Sequence, residues 1–145
     1  MLKQQKGVTL VALVITIIVL LILAGVSIAM LTGDNGVLTK AKSSQSETVR
    51  AEAKEKVSLA INTIMANKAD TSSTSEDPKQ ITVENIVTVI NREGGTAINV
   101  TEGVTGKNFK VKITIGNKIA EVTGTEVTGK TDVFTLDVTN LIDKE

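Results

Sequence analysis

Several residue types that carry much of enzyme and metal chemistry are missing from this chain of 145 residues. It contains no cysteine and no histidine, which excludes thiol nucleophiles, disulfides, Cys/His zinc sites and a histidine general base. It has no tryptophan, no tyrosine and only two phenylalanines, so it lacks aromatic platforms for stacking nucleobases. The 16 basic and 16 acidic side chains balance, which does not favour nucleic-acid binding. The composition therefore predicts no enzyme, no cofactor and no metal site.

One long apolar segment differs sharply from the rest of the chain. Residues 8–31 include twenty apolar residues and no charged one. A helix of this length is about 36 Å long, which is enough to cross the hydrocarbon core of a bilayer. Lys3 and Lys6 precede the segment, and the first charge after it is Asp34. The positive-inside rule therefore predicts a single-pass membrane protein with a cytoplasmic N-terminus and with residues 34–145 outside.

The apolar segment has three interpretations. Residues 27–29, Ser-Ile-Ala, offer a small-x-small cleavage site, but the apolar run is longer than the usual core of a secretory signal. An uncleaved signal anchor is the second interpretation. The third depends on the near border of the segment, where Lys6 and Gly7 stand directly before Val8. That order places a basic residue and a glycine before the apolar run, rather than a cleavage site after it.

This border resembles the class III signal of type IV prepilins and pseudopilins, and the resemblance extends over about residues 3–65. The signal consists of a basic leader, a glycine, an apolar residue, a Thr-Leu pair and a long apolar helix with an internal glycine, here Lys3, Lys6, Gly7, Val8, Thr9, Leu10 and Gly25. The resemblance implies cleavage between Gly7 and Val8 and N-methylation of Val8. It also implies that the apolar helix stays on the mature protein and mediates assembly.

The chain departs from this family at one position of the assembly helix. The family usually has Glu at the fifth residue after the cleavage point, where it is thought to neutralise the terminal amine of a neighbour, and this chain has Ala12 there. An unpaired ammonium at Val8 costs several kcal/mol in a packed core. Three solutions remain open: bonds to Thr9 hydroxyls or to carbonyls, a position near lipid headgroups, or a Glu from another type of subunit.

The resemblance also implies a function, a location and a set of partners. The expected function is a structural subunit of a type IV pilus-like filament, or a pseudopilin of a secretion or DNA-uptake apparatus. The protein is expected first in the cell membrane and then in a surface filament. Its expected partners are pilin-like subunits in a homo- or hetero-oligomer, a prepilin peptidase, a membrane platform protein and a cytoplasmic assembly ATPase. The alternative is a monomeric, signal-anchored surface domain that binds a ligand or partner.

The rest of the sequence predicts a helix followed by strands, which is an α+β fold. A long N-terminal helix packed on a small antiparallel sheet matches the shape of pilins. Asp34 or Asn35 is predicted to cap the second helix, and Thr82 a short third one. An apolar stripe at helical spacing, from Leu38 to Met65, is predicted to pack on the domain that follows or on a neighbour's helix. Alternating residues predict strands over 97–100, 109–115, 119–122 and 133–138. A hairpin turn is predicted at 116–117. The predicted segments are a leader (1–7), an apolar helix (8–31), a turn (32–36), an amphipathic helix (37–68), a polar loop (69–80) and an α/β C-terminal region (81–145).

A phosphate-binding pattern also occurs near the C-terminus. Residues 124–131 read GTEVTGKT and match the P-loop pattern letter for letter. That motif requires a helix directly after the loop, whose N-terminal amides bind phosphate. Residues 132–138 alternate as a strand does, and similar turn-rich phrases occur nearby. The sequence therefore favours a turn between strands over a nucleotide site.

Overall fold

The structure, a computed structural model, describes residues 5–72, 76–100 and 107–144, with residues 5–9 described as backbone only. These residues form three helices and four strands: α1 (Gln5–Thr32), α2 (Val37–Ala69), α3 (Val83–Arg92), β1 (Thr96–Asn99), β2 (Phe109–Ile115), β3 (Lys118–Glu126) and β4 (Phe134–Asp143). This is the α+β arrangement that the sequence predicts. The chain divides into two compact units, Met1–Gln45 and Ser46–Glu145. We call Ser46–Glu145 the head unit.

A short break separates α1 from α2. It contains Gly33 and Gly36, and Gly36 N–H donates to the Gly33 carbonyl at 2.6 Å. Gly36 is also the residue directly before α2, and its carbonyl accepts the amide of Lys40 at 3.1 Å. The prediction that Asp34 or Asn35 caps α2 is therefore wrong. Glycine is needed at position 36 because a Cβ there would lie 2.8 Å from the Gly33 carbonyl oxygen.

Helix α2 buries one face within the head unit. Its buried residues recur at helical spacing and are Val49, Ala53, Val57, Ala60, Ile61 and Ile64. The sequence predicts a longer apolar stripe that begins at Leu38, but Leu38, Ala41 and Gln45 are exposed. Met65, at the other end, is also exposed. Only the part of the stripe that lies in the head unit contributes to the hydrophobic core.

Helix α3 begins as the sequence predicts. The side chain of Thr82 caps it, because Thr82 Oγ1 accepts the backbone amide of Asn85 at 3.2 Å. The helix buries three side chains at helical spacing, Ile86, Val89 and Ile90. Past its end, Gly94 adopts a φ of +82°, a left-handed conformation that glycine adopts without steric cost. The chain then turns into β1.

The four strands form an antiparallel meander in the order β1-β2-β3-β4. The β2–β3 turn is at Gly116 and Asn117, as predicted, and Gly116 has a φ of +58°. Alternate residues of β2 and β3 face the core, and Val111, Ile113, Ala120 and Val122 are fully buried. The register between β3 and β4 shifts at Glu121 and Val122. This shift leaves Thr139 without a register partner on β3, which is the pattern of a β-bulge.

Candidate assembly helix and candidate sites in the head unit

Helix α1 exposes all of its side chains that the structure describes, from Leu10 to Thr32. Leu21 is 67% exposed and Met30 is 71% exposed. An apolar surface of this extent is not stable in water and needs a covering of lipid or protein. The helix is long enough and apolar enough to cross a membrane. The first unit therefore presents an apolar helix surface that lipid or protein can cover.

The hydroxyl groups described in α1 are satisfied by the helix itself. Thr16 Oγ1 donates to the Leu13 carbonyl at 2.7 Å. Ser27 and Thr32 donate in the same way to the carbonyls four residues earlier, at 2.8 and 2.9 Å. Each of these donors already has a partner within the helix. Burying them in lipid or against another protein therefore leaves no hydrogen-bond donor unsatisfied.

The predicted processing residues lie at the N-terminal end of α1. Helix α1 begins at Gln5, so the backbone of Lys6, Gly7 and Val8 is helical. Lys3 lies outside the described residues. The predicted cleavage point therefore falls in the first turn of the helix, directly before Val8, where the apolar run begins.

The predicted assembly residues all lie on α1. The backbone of Thr9 is helical, and Leu10 and Ala12 are exposed. A Cβ added at Gly25 would meet no atom within 4 Å. Within the first unit, positions 10, 12 and 25 are therefore open to lipid or to other chains.

The P-loop look-alike is the connection between β3 and β4. Gly124 lies inside β3, and the turn that follows is closed by a bond from Lys130 N–H to the Val127 carbonyl at 3.0 Å. Gly129 has a φ of +80°. The next element is the strand β4 rather than a helix. The helix N-terminus that a P-loop uses to bind phosphate is therefore not formed by this segment.

This connection is held in place by charged side chains. Lys68 at the end of α2 forms an ion pair with Asp132 at 2.8 Å. The Glu126 carboxylate pairs with Lys107 at 3.0 Å and accepts the Asp132 amide at 3.4 Å. Asp132 adopts a φ of +61°, which aspartate tolerates better than most residues other than glycine. These bonds link the β3–β4 connection to α2 and explain a non-glycine residue in the left-handed region.

The Asp70 carboxyl, just after α2, has a lowered pKa. The Ser72 hydroxyl, and then the Ser72 amide, hydrogen-bond to Asp70 and lower its pKa from the ordinary value of 3.8. Asp70 is fully exposed and closes a turn after α2. Across residues 5–72, 76–100 and 107–144, no three His, Cys, Asp or Glu side chains lie close enough together to hold a metal ion.

Comparisons with protein-family models, with curated proteins and with solved structures find no match to this chain. The fold and the site together define a broad class. The chain is an α+β protein in which one long apolar helix near the N-terminus is able to span a membrane. The helix that follows packs one face on a four-stranded antiparallel sheet.

Proposed function

We propose that this chain is a structural subunit of a type IV pilus-like or secretion-like filament, processed after Gly7 and assembled through α1. The exposure of every described α1 side chain carries the proposal, because such a surface needs lipid or protein around it. The order Lys6, Gly7, Val8 at its border distinguishes this proposal from a plain membrane anchor.

The physical chemistry of α1 suits a helix that moves from lipid into a filament core. Both surroundings are apolar, so the transfer changes the hydrophobic free energy little. Association then depends on close packing and on the cellular machinery that extracts the subunit. The hydroxyls of Thr16 and Ser27 impose no desolvation cost in either place, because each donates within the helix.

The proposal includes a location and a set of partners. The N-terminus is cytoplasmic before cleavage and the head unit is outside, and the subunit later forms part of a surface filament. A prepilin peptidase cleaves the leader and methylates Val8. A platform protein and a cytoplasmic ATPase then drive assembly with pilin-like subunits.

The N-terminal mass of the protein tests this proposal directly. We expect protein purified from native membranes to span residues 8–145, with a methylated amine at Val8. Gly7→Leu is expected to leave the precursor uncut in the membrane, because the leader must end in a small residue. Gly25→Leu is the matched control, since it puts the same side chain on an open position of the same helix and is expected to leave cleavage unchanged. A mature protein that starts at Met1 or at Met30 would contradict the proposal, and a start at Met1 would favour a signal-anchored surface domain.

The role of Ala12 distinguishes a homopolymer from a mixed filament. In a homopolymer, Ala12→Glu places a carboxylate near each Val8 amine, where it pairs or is stranded at a cost of several kcal/mol. We therefore expect a clear change in filament yield, in either direction. In a minor subunit of low copy number, the bulk filament yield should not respond. Purified filaments made solely of this chain would exclude the minor role.

A further inference from the structure

Among the residues that the structure describes, no strand pairs with the outer side of β1 or of β4, so the sheet of the head unit has two open edges. Alternate residues of an edge strand direct their N–H and C=O groups away from the sheet. Such groups are a template for pairing with a strand of another chain. In this protein, a side chain from a helix hydrogen-bonds to the strand backbone at one point on each edge.

Asn91 of α3 occupies the β1 edge. Its Oδ1 accepts the Ala97 amide at 2.7 Å, and its Nδ2 donates to the Ala97 carbonyl at 3.1 Å. Val100 N–H bonds to Lys110 on the β2 side, so alternation along the strand turns Ala97 and Asn99 toward the open side. The Asn91 amide thus makes both bonds that an added strand would make with Ala97.

Arg50 of α2 occupies the β4 edge. Its Nη1 donates to the carbonyl of Val138 at 2.7 Å, and this bond is partly buried. The β-bulge lies at the same place. Glu121 of β3 pairs with Asn140 and the next residue, Val122, pairs with Val138, so Thr139 has no register partner on β3. A bulge disturbs the regular spacing that an added strand needs. The guanidinium and the bulge therefore interrupt the middle of this edge.

We propose that Asn91 and Arg50 are edge guards, which prevent the sheet from pairing with the sheet of a second copy of this chain. A second copy is the relevant occupant because the exposed α1 helix gathers copies wherever lipid or other α1 helices cover it. With Asn91 and Arg50 in place, copies of the chain associate through α1, and their sheets do not pair. The proposal does not depend on cleavage at Gly7 or on filament formation.

Hydrogen exchange of the full chain in detergent tests the β1 guard, at two protein concentrations a hundredfold apart. In dilute Asn91→Leu protein, we expect the Ala97 amide to exchange about tenfold faster than in the parent, because it has lost its acceptor. In concentrated protein, strand pairing with a second copy should restore the protection. Asn85→Leu is the matched control, since this amide on the same helix bonds to the Gln80 carbonyl and not to a strand. It should show no dependence on concentration.

The β4 guard is tested in the same way with Arg50→Met, which keeps an unbranched apolar side chain but lacks the guanidinium. We expect the amides of β4 to gain protection as the concentration rises. Lys54→Met is the matched control, because Lys54 pairs with the Asp137 carboxylate and not with the strand backbone. Association through α1 is common to the parent and all variants, so it cancels from the comparison.

Exchange that is independent of concentration in Asn91→Leu or in Arg50→Met would overturn the proposal for that edge, because the side chain would then be only a local cap. Circular dichroism first establishes that each variant is folded. If Asn91→Leu does not fold, Asn91→Ala takes its place, since alanine is the better helix former, and its exchange is interpreted in the same way. A mature chain that begins at Met1 would refute filament processing but would leave this test intact.

Discussion

Replacing Gly124 with alanine places a methyl group against the phenylalanine pair of the core. Gly124 on β3 pairs with Phe109 on β2, and the Phe109 ring lies over the glycine. A Cβ at position 124 would lie within 3.0 Å of three atoms of that ring. Phe109 is only 4% exposed, and its ring centroid is 5.3 Å from that of Phe134. The ring therefore has little room to move away from the added methyl group.

The magnitude follows from two opposing effects. Adding a methyl group to a well-packed core costs about 1–3 kcal/mol. Alanine also reduces the freedom of the unfolded chain, which offsets about 0.4–1 kcal/mol. We expect Gly124→Ala to lower the free energy of unfolding of the head unit by about 1–2 kcal/mol. For a unit of this size, that lowers the melting temperature by about 4–16 °C.

Proteolysis of the full chain in detergent, after incubation at increasing urea concentration, measures this change. Intrinsic fluorescence is unsuitable because the chain has no tryptophan and no tyrosine. A double-mutant cycle with Phe109→Leu isolates the contact. If the ring causes the cost, Gly124→Ala should be less destabilising in the Phe109→Leu background by about 1 kcal/mol. An equal cost in both backgrounds would refute the reasoning.

Three further substitutions test other parts of the head unit by the same assay. Thr82→Ala should destabilise it by about 0.5–2 kcal/mol through loss of the α3 cap, while Thr82→Ser should restore most of that stability. Asp132→Val should lower the free energy of unfolding by about 1–3 kcal/mol, because a β-branched residue is strained at positive φ. Asp132→Asn loses only the half-exposed ion pair with Lys68 and should lower it by less than about 1 kcal/mol. Equal costs for the two variants would contradict this account. Lys130→Ala should change stability by no more than about 0.5 kcal/mol, and saturable ATP binding that this substitution abolishes would contradict the assignment of residues 124–131 to a turn.

Local sequence signals located most elements of the head unit. Alternation in β2 and the Gly116-Asn117 turn predicted the β2–β3 hairpin, because the period of two and the turn chemistry both act over a few residues. Thr82 predicted the start of α3 for the same reason, since a cap bonds to an amide three residues away.

One local prediction about α2 was wrong, and another is confirmed only for part of the helix. The apolar stripe predicted from Leu38 is buried only from Val49 onward, because periodicity shows which residues share a face but not how far the partner surface extends. The cap predicted at Asp34 or Asn35 was not formed, because the tight break between the helices requires Gly36 directly before α2. In both cases the surroundings of the helix decided, and they are not encoded in the local pattern.

The sequence by itself determined the division between an apolar α1 and a polar head unit, since residues 8–31 exclude charge and the rest does not. It also excluded every chemistry that needs a thiol or an imidazole. The tertiary structure alone decided which distant groups meet. Arg50 reaches Val138, and Lys68 pairs with Asp132. The first of these contacts joins residues 88 positions apart, and such pairings depend on how complete elements pack together, which no local period or propensity records.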